Sequence, residues 1–159
     1  MKKLLVCGFA SLAWNACLAT DAVPMAMFVL HKGYDKGLGF ESGTAQYYDY
    51  NFERTCKGRK RLKKFLWTTG ADATKEAAAG SPIFLAALVK RFDVGTGTWA
   101  PFSLNEKHCA NTVVFTPVAG ETYDIRQQAV VGHSCTISVV AATSNAPPPD
   151  LRSVEPLIC

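Results

Sequence analysis

The chain has 159 residues, of which 48% are apolar, and its 17 Lys and Arg outweigh 13 Asp and Glu for a net charge of +4. That is one domain's worth of chain, enough to bury about two-thirds of its unfolded surface. Six of the cations lie between Lys57 and Lys64, and the rest of the chain is mildly acidic, which argues against a nucleic-acid binder with a broad basic face.

The N-terminus reads as an address. Met1-Lys2-Lys3 is a short cationic start, Leu4 to Ala13 is largely apolar, and Cys17-Leu18-Ala19 places small residues where signal peptidase inspects them. This predicts a secretory signal peptide over 1–19 and a single mature domain over 20–159, periplasmic or secreted. The apolar stretch falls short of the ~20 residues a bilayer requires. A minor route, lipidation at Cys17 to give an outer-membrane lipoprotein, is opposed by Trp14 and Asn15, which suit a lipoprotein signal badly. Processing leaves four cysteines, Cys56, Cys109, Cys135 and Cys159, and an even number in an exported chain predicts two disulfides.

Along the mature chain, Met25 to Leu30 is apolar on both faces and reads as a buried strand. Gly33 to Gly43 and Gly95 to Gly97 read as loops. Ser81 to Phe92 has a helix-like start at Ser81-Pro82, yet its Ile, Phe and Val content favours a central strand. Thr112 to Thr116, Thr122 to Val131 and Ser134 to Val140 then alternate with period two. One face carries Val113 and Phe115, then Tyr123, Ile125, Ala129 and Val131, then Cys135, Ile137 and Val139. Short glycine-bearing connectors join these runs, so a three-stranded antiparallel meander is expected. Ala146 to Asp150, with three prolines, reads as a stiff spacer in a tail over 146–159 that ends in Cys159.

Short strands separated by turn residues, in a disulfide-bearing chain, predict an all-β antiparallel β-sandwich with long loops. The block Val113 to Val140, with Phe115-Thr116-Pro117, Gly120, Tyr123 and Cys135, resembles the end of small exported bacterial proteins of unknown function. These carry an FTP-x-x-G-x-x-Y hairpin followed by a cysteine-bearing strand. The resemblance covers about a fifth of the chain and implies an immunoglobulin-like or prealbumin-like sandwich. Phe115, Gly120 and Tyr123 would be core and turn residues, and no catalytic role travels with them.

The four cysteines allow three pairings. The preferred one is Cys109–Cys135 with Cys56–Cys159 stapling the tail. If both strands of the first pair flank the middle strand of a meander they stand ~9.6 Å apart, so the chain at Cys109 must fold over the sheet end. His108-Cys109 and His133-x-Cys135 also have the residue types of a zinc site, but an oxidising compartment favours disulfides, so no metal or cofactor is expected. His31 reads as a packed or surface histidine. No nucleophile elbow, zincin helix or phosphate-cradling loop is present, and no catalytic residue is assigned.

The basic run remains. Neither period-two phase of Arg61 to Trp67 keeps its charges off both faces, so a buried central strand is excluded. An edge strand guarded by lysines is the first expectation. The second is a binding surface of Tyr48, Tyr50, Lys57, Arg59, Arg61 and Lys63 for an anionic envelope glycan or lipid. Together these readings predict a non-catalytic exported binding or accessory protein. The alternatives are a secreted hydrolase with an unrecognised histidine–carboxylate site, and an inhibitor or effector that docks on another protein through Tyr47 to Trp67.

Overall fold

A computed structural model of the chain describes residues 23–33, 42–66, 71–94, 104–129 and 135–158. The expected signal peptide, most of the Gly33 to Gly43 loop, Gly95 to Gly97, Val131, His133 and Cys159 lie outside these residues. Nine strands and no helix are present among them: β1 (Met25–His31), β2 (Ser42–Asn51), β3 (Lys60–Leu66), β4 (Ala73–Ala78), β5 (Ile83–Val94), β6 (Leu104–Phe115), β7 (Thr122–Ala129), β8 (Cys135–Ala141) and β9 (Arg152–Val154). They form a four-stranded sheet in the order β4-β1-β7-β8 and a five-stranded sheet in the order β3-β2-β5-β6-β9. The fold is all-β and sandwich-like.

Alternation explains most of the core. Ala26, Phe28 and Leu30 of β1, Ile83, Leu85 and Ala87 of β5, Val113 and Phe115 of β6, and Tyr123 and Ile125 of β7 meet in one buried cluster. Phe115 packs on Tyr123 at a centroid distance of 5.3 Å, and Phe28 lies edge-on to Tyr123 at 5.8 Å. Burying a side chain of this kind contributes roughly 1.5–3 kcal/mol. Gly120 adopts φ +76° in the turn before β7, a conformation that glycine accepts without strain. Ser81 to Phe92 is a strand because β5 is hydrogen-bonded on both sides, to β2 and to β6, and Ser81-Pro82 leads into it instead of capping a helix.

Two expectations are corrected, and the disulfide pairing is met in part. The meander does not form: β7 and β8 pair antiparallel, but β6 belongs to the opposite sheet, so the Pro117–Glu121 connector crosses between sheets. The sandwich is not wholly antiparallel, because β1 runs parallel to β7, with Phe28 opposite Tyr123. Within the described residues there is one disulfide, Cys109–Cys135, with Cα atoms 5.9 Å apart. It joins β6 to β8 across the two sheets, and so it avoids the strand-spacing conflict of a meander. The other expected pair ends on Cys159, outside the described residues; Cys56 Sγ lies 3.9 Å from the carbonyl oxygen of the preceding Ile158.

The basic strand solves its own phase problem. The register of β3 against β2 shifts between Tyr48 and Asp49, a bulge that leaves Leu62 as the extra residue. Leu62 and Phe65, three apart, can therefore both turn inward and are buried, while Lys60, Arg61 and Lys64 stay exposed.

Near the disulfide the core turns polar. The Tyr48 hydroxyl donates to the His31 carbonyl at 2.8 Å and accepts from the Gln127 backbone N–H and from Gln46 Nε2, both at 2.9 Å. Gln127 Nε2 reaches the Ala87 carbonyl at 3.1 Å and Asn111 Oδ1 at 3.0 Å, and Asn111 Nδ2 donates to the Cys135 carbonyl at 2.9 Å. The Gly33 N–H donates to Gln46 Oε1 at 2.9 Å, and a Cβ on Gly33 would overlap the Gln127 carbonyl oxygen. Burial pushes the Tyr48 hydroxyl up from 10.0 to about 12. A raised value means the folded state keeps its proton where the unfolded chain has lost it, so this stabilisation is complete below pH 10.0 and lost as pH rises through about 12. Tyr48→Phe should cost about 1–3 kcal/mol at neutral pH by stranding these partners. Urea titrations across that alkaline window should show the wild type losing its advantage over the variant.

Candidate functional site

Two surfaces carry concentrated chemistry. The first is the rim formed by residues 52–59 and β3. Asn51 shapes the loop: its Nδ2 donates to the carbonyls of Thr55 at 2.8 Å and Lys57 at 2.9 Å, while its Oδ1 accepts from the Phe52 N–H at 2.9 Å. Gly58, at φ +78°, returns the chain toward β3. Asp49, buried on the outer face of β2, pairs with Arg59 Nη1 at 3.2 Å and with Arg61 Nε. One carboxylate therefore anchors two guanidinium groups.

Three of the lysines, and Arg61 as well, lie against rings. Lys64 Nζ is 5.5 Å from the Tyr47 ring centre, and Arg61 covers the same ring at 4.7 Å. Lys60 Nζ is 5.8 Å from both Tyr50 and Phe52, and Lys63 Nζ is 5.5 Å from Phe65. Such contacts contribute about 0.5–1 kcal/mol at exposed sites. Of the residues assigned to a binding surface, Lys57, Arg59 and Arg61 are exposed and Lys63 is half-buried. Tyr48 is fully buried in the polar cluster and Tyr50 is 5% exposed, so neither offers a free ring face. The tyrosine that shares the outer face with Arg61 and Lys64 is Tyr47, whereas Lys60 and Lys63 stand opposite Tyr50 and Tyr48. Strand alternation through Tyr47-Tyr48-Asp49-Tyr50 would have separated these roles, sending Tyr48 and Tyr50 inward and Tyr47 and Asp49 outward. Behind Arg59, a slot of about 20 Å³ over Phe84, Ala86 and Leu88 has room for a water molecule and no larger ligand.

The second surface is the outer face of the four-stranded sheet. His31, the last residue of β1, points outward between two carboxylates, with Nδ1 2.8 Å from Asp72 Oδ2 and Nε2 3.0 Å from Asp124 Oδ1. Asp72 immediately precedes β4 and Asp124 lies on β7, so the imidazole ties both neighbours of β1 together. Both partners are remote in sequence, 41 and 93 positions away, and no local motif announces them. Both ring nitrogens are taken up by carboxylate contacts, so a nucleophile would have to displace one of the two acids to reach the ring. Beside His31 opens a shallow depression of about 570 Å³, floored by Asp124, Arg126 and Gln128 of β7 and by Thr136, Ser138 and Val140 of β8. His108 is exposed on β6, and Cys109 and Cys135 are bonded to each other, so neither sulfur is available as a zinc ligand. Among the described residues, no group of three or more His, Cys, Asp or Glu is placed to hold a metal ion.

No family model matches the chain, and no curated protein or solved structure matches it either.

The His31 bridge joins groups that are more than half exposed on the carboxylate side, so each contact should contribute no more than about 1 kcal/mol. His31→Ala should lower the urea midpoint slightly and speed amide exchange in β4, Ala73 to Ala78, more than elsewhere. Unchanged β4 exchange would remove the bridging role.

Proposed function

We propose that the chain is a non-catalytic, exported binding or accessory domain, periplasmic or secreted, that holds a polyanionic envelope component on the β3 rim. The carrying observation is charge balance. Six cations meet one anchoring acid, Asp49, while Lys57, Lys60, Lys63 and Lys64 have no acidic partner among the described residues. Rings of Tyr47, Phe52 and Phe65 beside these cations limit their motion, which lowers the cost of fixing them on a ligand. The ligand chemistry is repeated phosphate, sulfate or carboxylate, from an acidic glycan or from lipid headgroups. The bulge and lysines also guard β3 against pairing with another strand, so side chains rather than the strand edge would make the contact.

Export is supported by the leader-like N-terminus and by an inter-sheet disulfide, which persists in oxidising compartments. The same reading gives an immunoglobulin-like or prealbumin-like sandwich, in keeping with two facing sheets, and pairs Cys56 with Cys159. Peptide mapping without reductant should recover that second linkage together with Cys109–Cys135; a Cys56 peptide running alone would refute it.

A hydrolase is the second reading, favoured by one observation, the histidine beside carboxylates. It needs Asp124 to release Nε2 and a nucleophile to take its place. Ser138, the hydroxyl opposite Arg126 on β8, donates instead to the Arg126 carbonyl at 3.3 Å.

Heparin-affinity and anionic-vesicle binding separate the two polyanion sources. Either should weaken as salt rises, because screening shortens charge contacts to about 10 Å at 0.1 M. Replacing Lys60 and Lys64 by Glu should reduce affinity at least about tenfold, some 1.4 kcal/mol. Lys75→Glu, on exposed β4 of the other sheet, should change it little. Equal loss from both variants would mean that net charge, and not the rim, attracts the ligand.

A further inference from the structure

The outer face of the four-stranded sheet carries chemistry that the β3 rim does not need. Strand register places His31, Arg126 and Ser138 side by side across β1, β7 and β8, with Asp124 beside Val140 in one flanking row and Gln128 beside Thr136 in the other. Neighbouring strands stand about 4.8 Å apart and next-but-one residues about 6.6 Å along a strand, so the three rows make a floor of one-ring dimensions. The depression over it, about 570 Å³, falls within the usual size of small-molecule sites.

The floor's unused hydrogen-bonding capacity defines the ligand. Asp124 is held through Oδ1 by His31, which fixes its carboxylate and leaves Oδ2 to accept from a hydroxyl. Arg126 makes no ion pair among the described residues, although Asp124 is only two positions away on the same face. The side chains of Gln128 and Thr136, a cross-strand pair, likewise make no hydrogen bond among the described residues. An unpaired guanidinium matches a carboxylate through two parallel N–H donors. The one ring lining the depression is the His31 imidazole, tied at both nitrogens to Asp72 and Asp124, and Val140 is its one apolar side chain, so a flat aromatic ligand gains little.

We propose that this depression binds an acidic sugar, its carboxylate on Arg126 and its ring hydroxyls on Asp124, Gln128 and Thr136. The proposal stands apart from the β3 rim, on the opposite sheet, and makes no use of His31 as a base.

Amide NMR titration of the folded domain with glucuronate, galacturonate and N-acetylneuraminate tests it, with glucose and acetate as controls. At least one acid should shift amides of Asp124 to Gln128 and Thr136 to Ser138 at concentrations up to about 10 mM, a range that detects weak sites. Glucose, which lacks the carboxylate, and acetate, which lacks the hydroxyls, should each bind at least about tenfold more weakly. Arg126→Gln, at an exposed position that keeps the wild-type spectrum elsewhere, should produce the same loss for the acid. The proposal fails if no acid shifts these amides, if either control matches the best acid, or if Arg126→Gln binds unchanged. It also fails if the shifts fall on Lys60 to Leu66, because the acid is then held by the rim.

Discussion

One buried hydroxyl sets the geometry of this protein. Tyr48 uses its one donor and two acceptor directions on His31, Gln46 and Gln127, so a residue of β2 in one sheet is fixed against β1 and β7 of the other. From Gln127 the bonds continue to Ala87 on β5 and Asn111 on β6, and from Asn111 to Cys135 on β8. An apolar interface tolerates small slips; a set of directional bonds whose failure would strand buried polar atoms does not. The Cys109–Cys135 link closes the same region covalently, and in a chain-entropy account a loop of this size contributes roughly 3–4 kcal/mol.

That fixed register arranges both surfaces. His31 ends β1 with its carbonyl committed inward to Tyr48 and its imidazole committed outward to Asp72 and Asp124. On the other sheet, Tyr48 turns in while its neighbours Tyr47 and Asp49 turn out, one to lie beneath Arg61 and Lys64, the other to anchor Arg59 and Arg61. Charge is thus separated by sheet: a cation-rich rim on one, a mixed polar floor on the other.

How much of this was legible in the sequence depended on the distance between partners. The inward faces of β7, β8 and the end of β6 follow from local alternation, and the edge position of β3 follows from four cations in Lys60 to Leu66. Sheet membership does not: nothing in Pro117 to Glu121 distinguishes a hairpin from a crossing between sheets, and the turn around Gly120 serves either. β4 was hidden because Ala73 to Ala78, with its alanines, Lys75 and Glu76, has helix-forming composition and becomes a strand only by pairing with β1. The bulge at Leu62 broke the alternation that would have declared β3. One clue was available in Gln127, a polar residue on the apolar face of its strand, because such an exception needs a buried partner. The His31 bridge gave no such sign, since its acids lie on two other strands.

The parallel pairing of β1 with β7 has a consequence for assembly. β1 occupies an interior place in its sheet, between β4 and β7, and its parallel neighbour begins 91 residues after it closes, Thr122 following His31. The earliest of the described strands off the ribosome is therefore among the last to be housed, and long-range closure of this kind is slow. Until Thr122 to Ala129 arrives, β1 has only one flank to rest on. A chain built this way stays open to threading or to chaperone capture for most of its synthesis, and its compact state belongs to whichever compartment receives its final third.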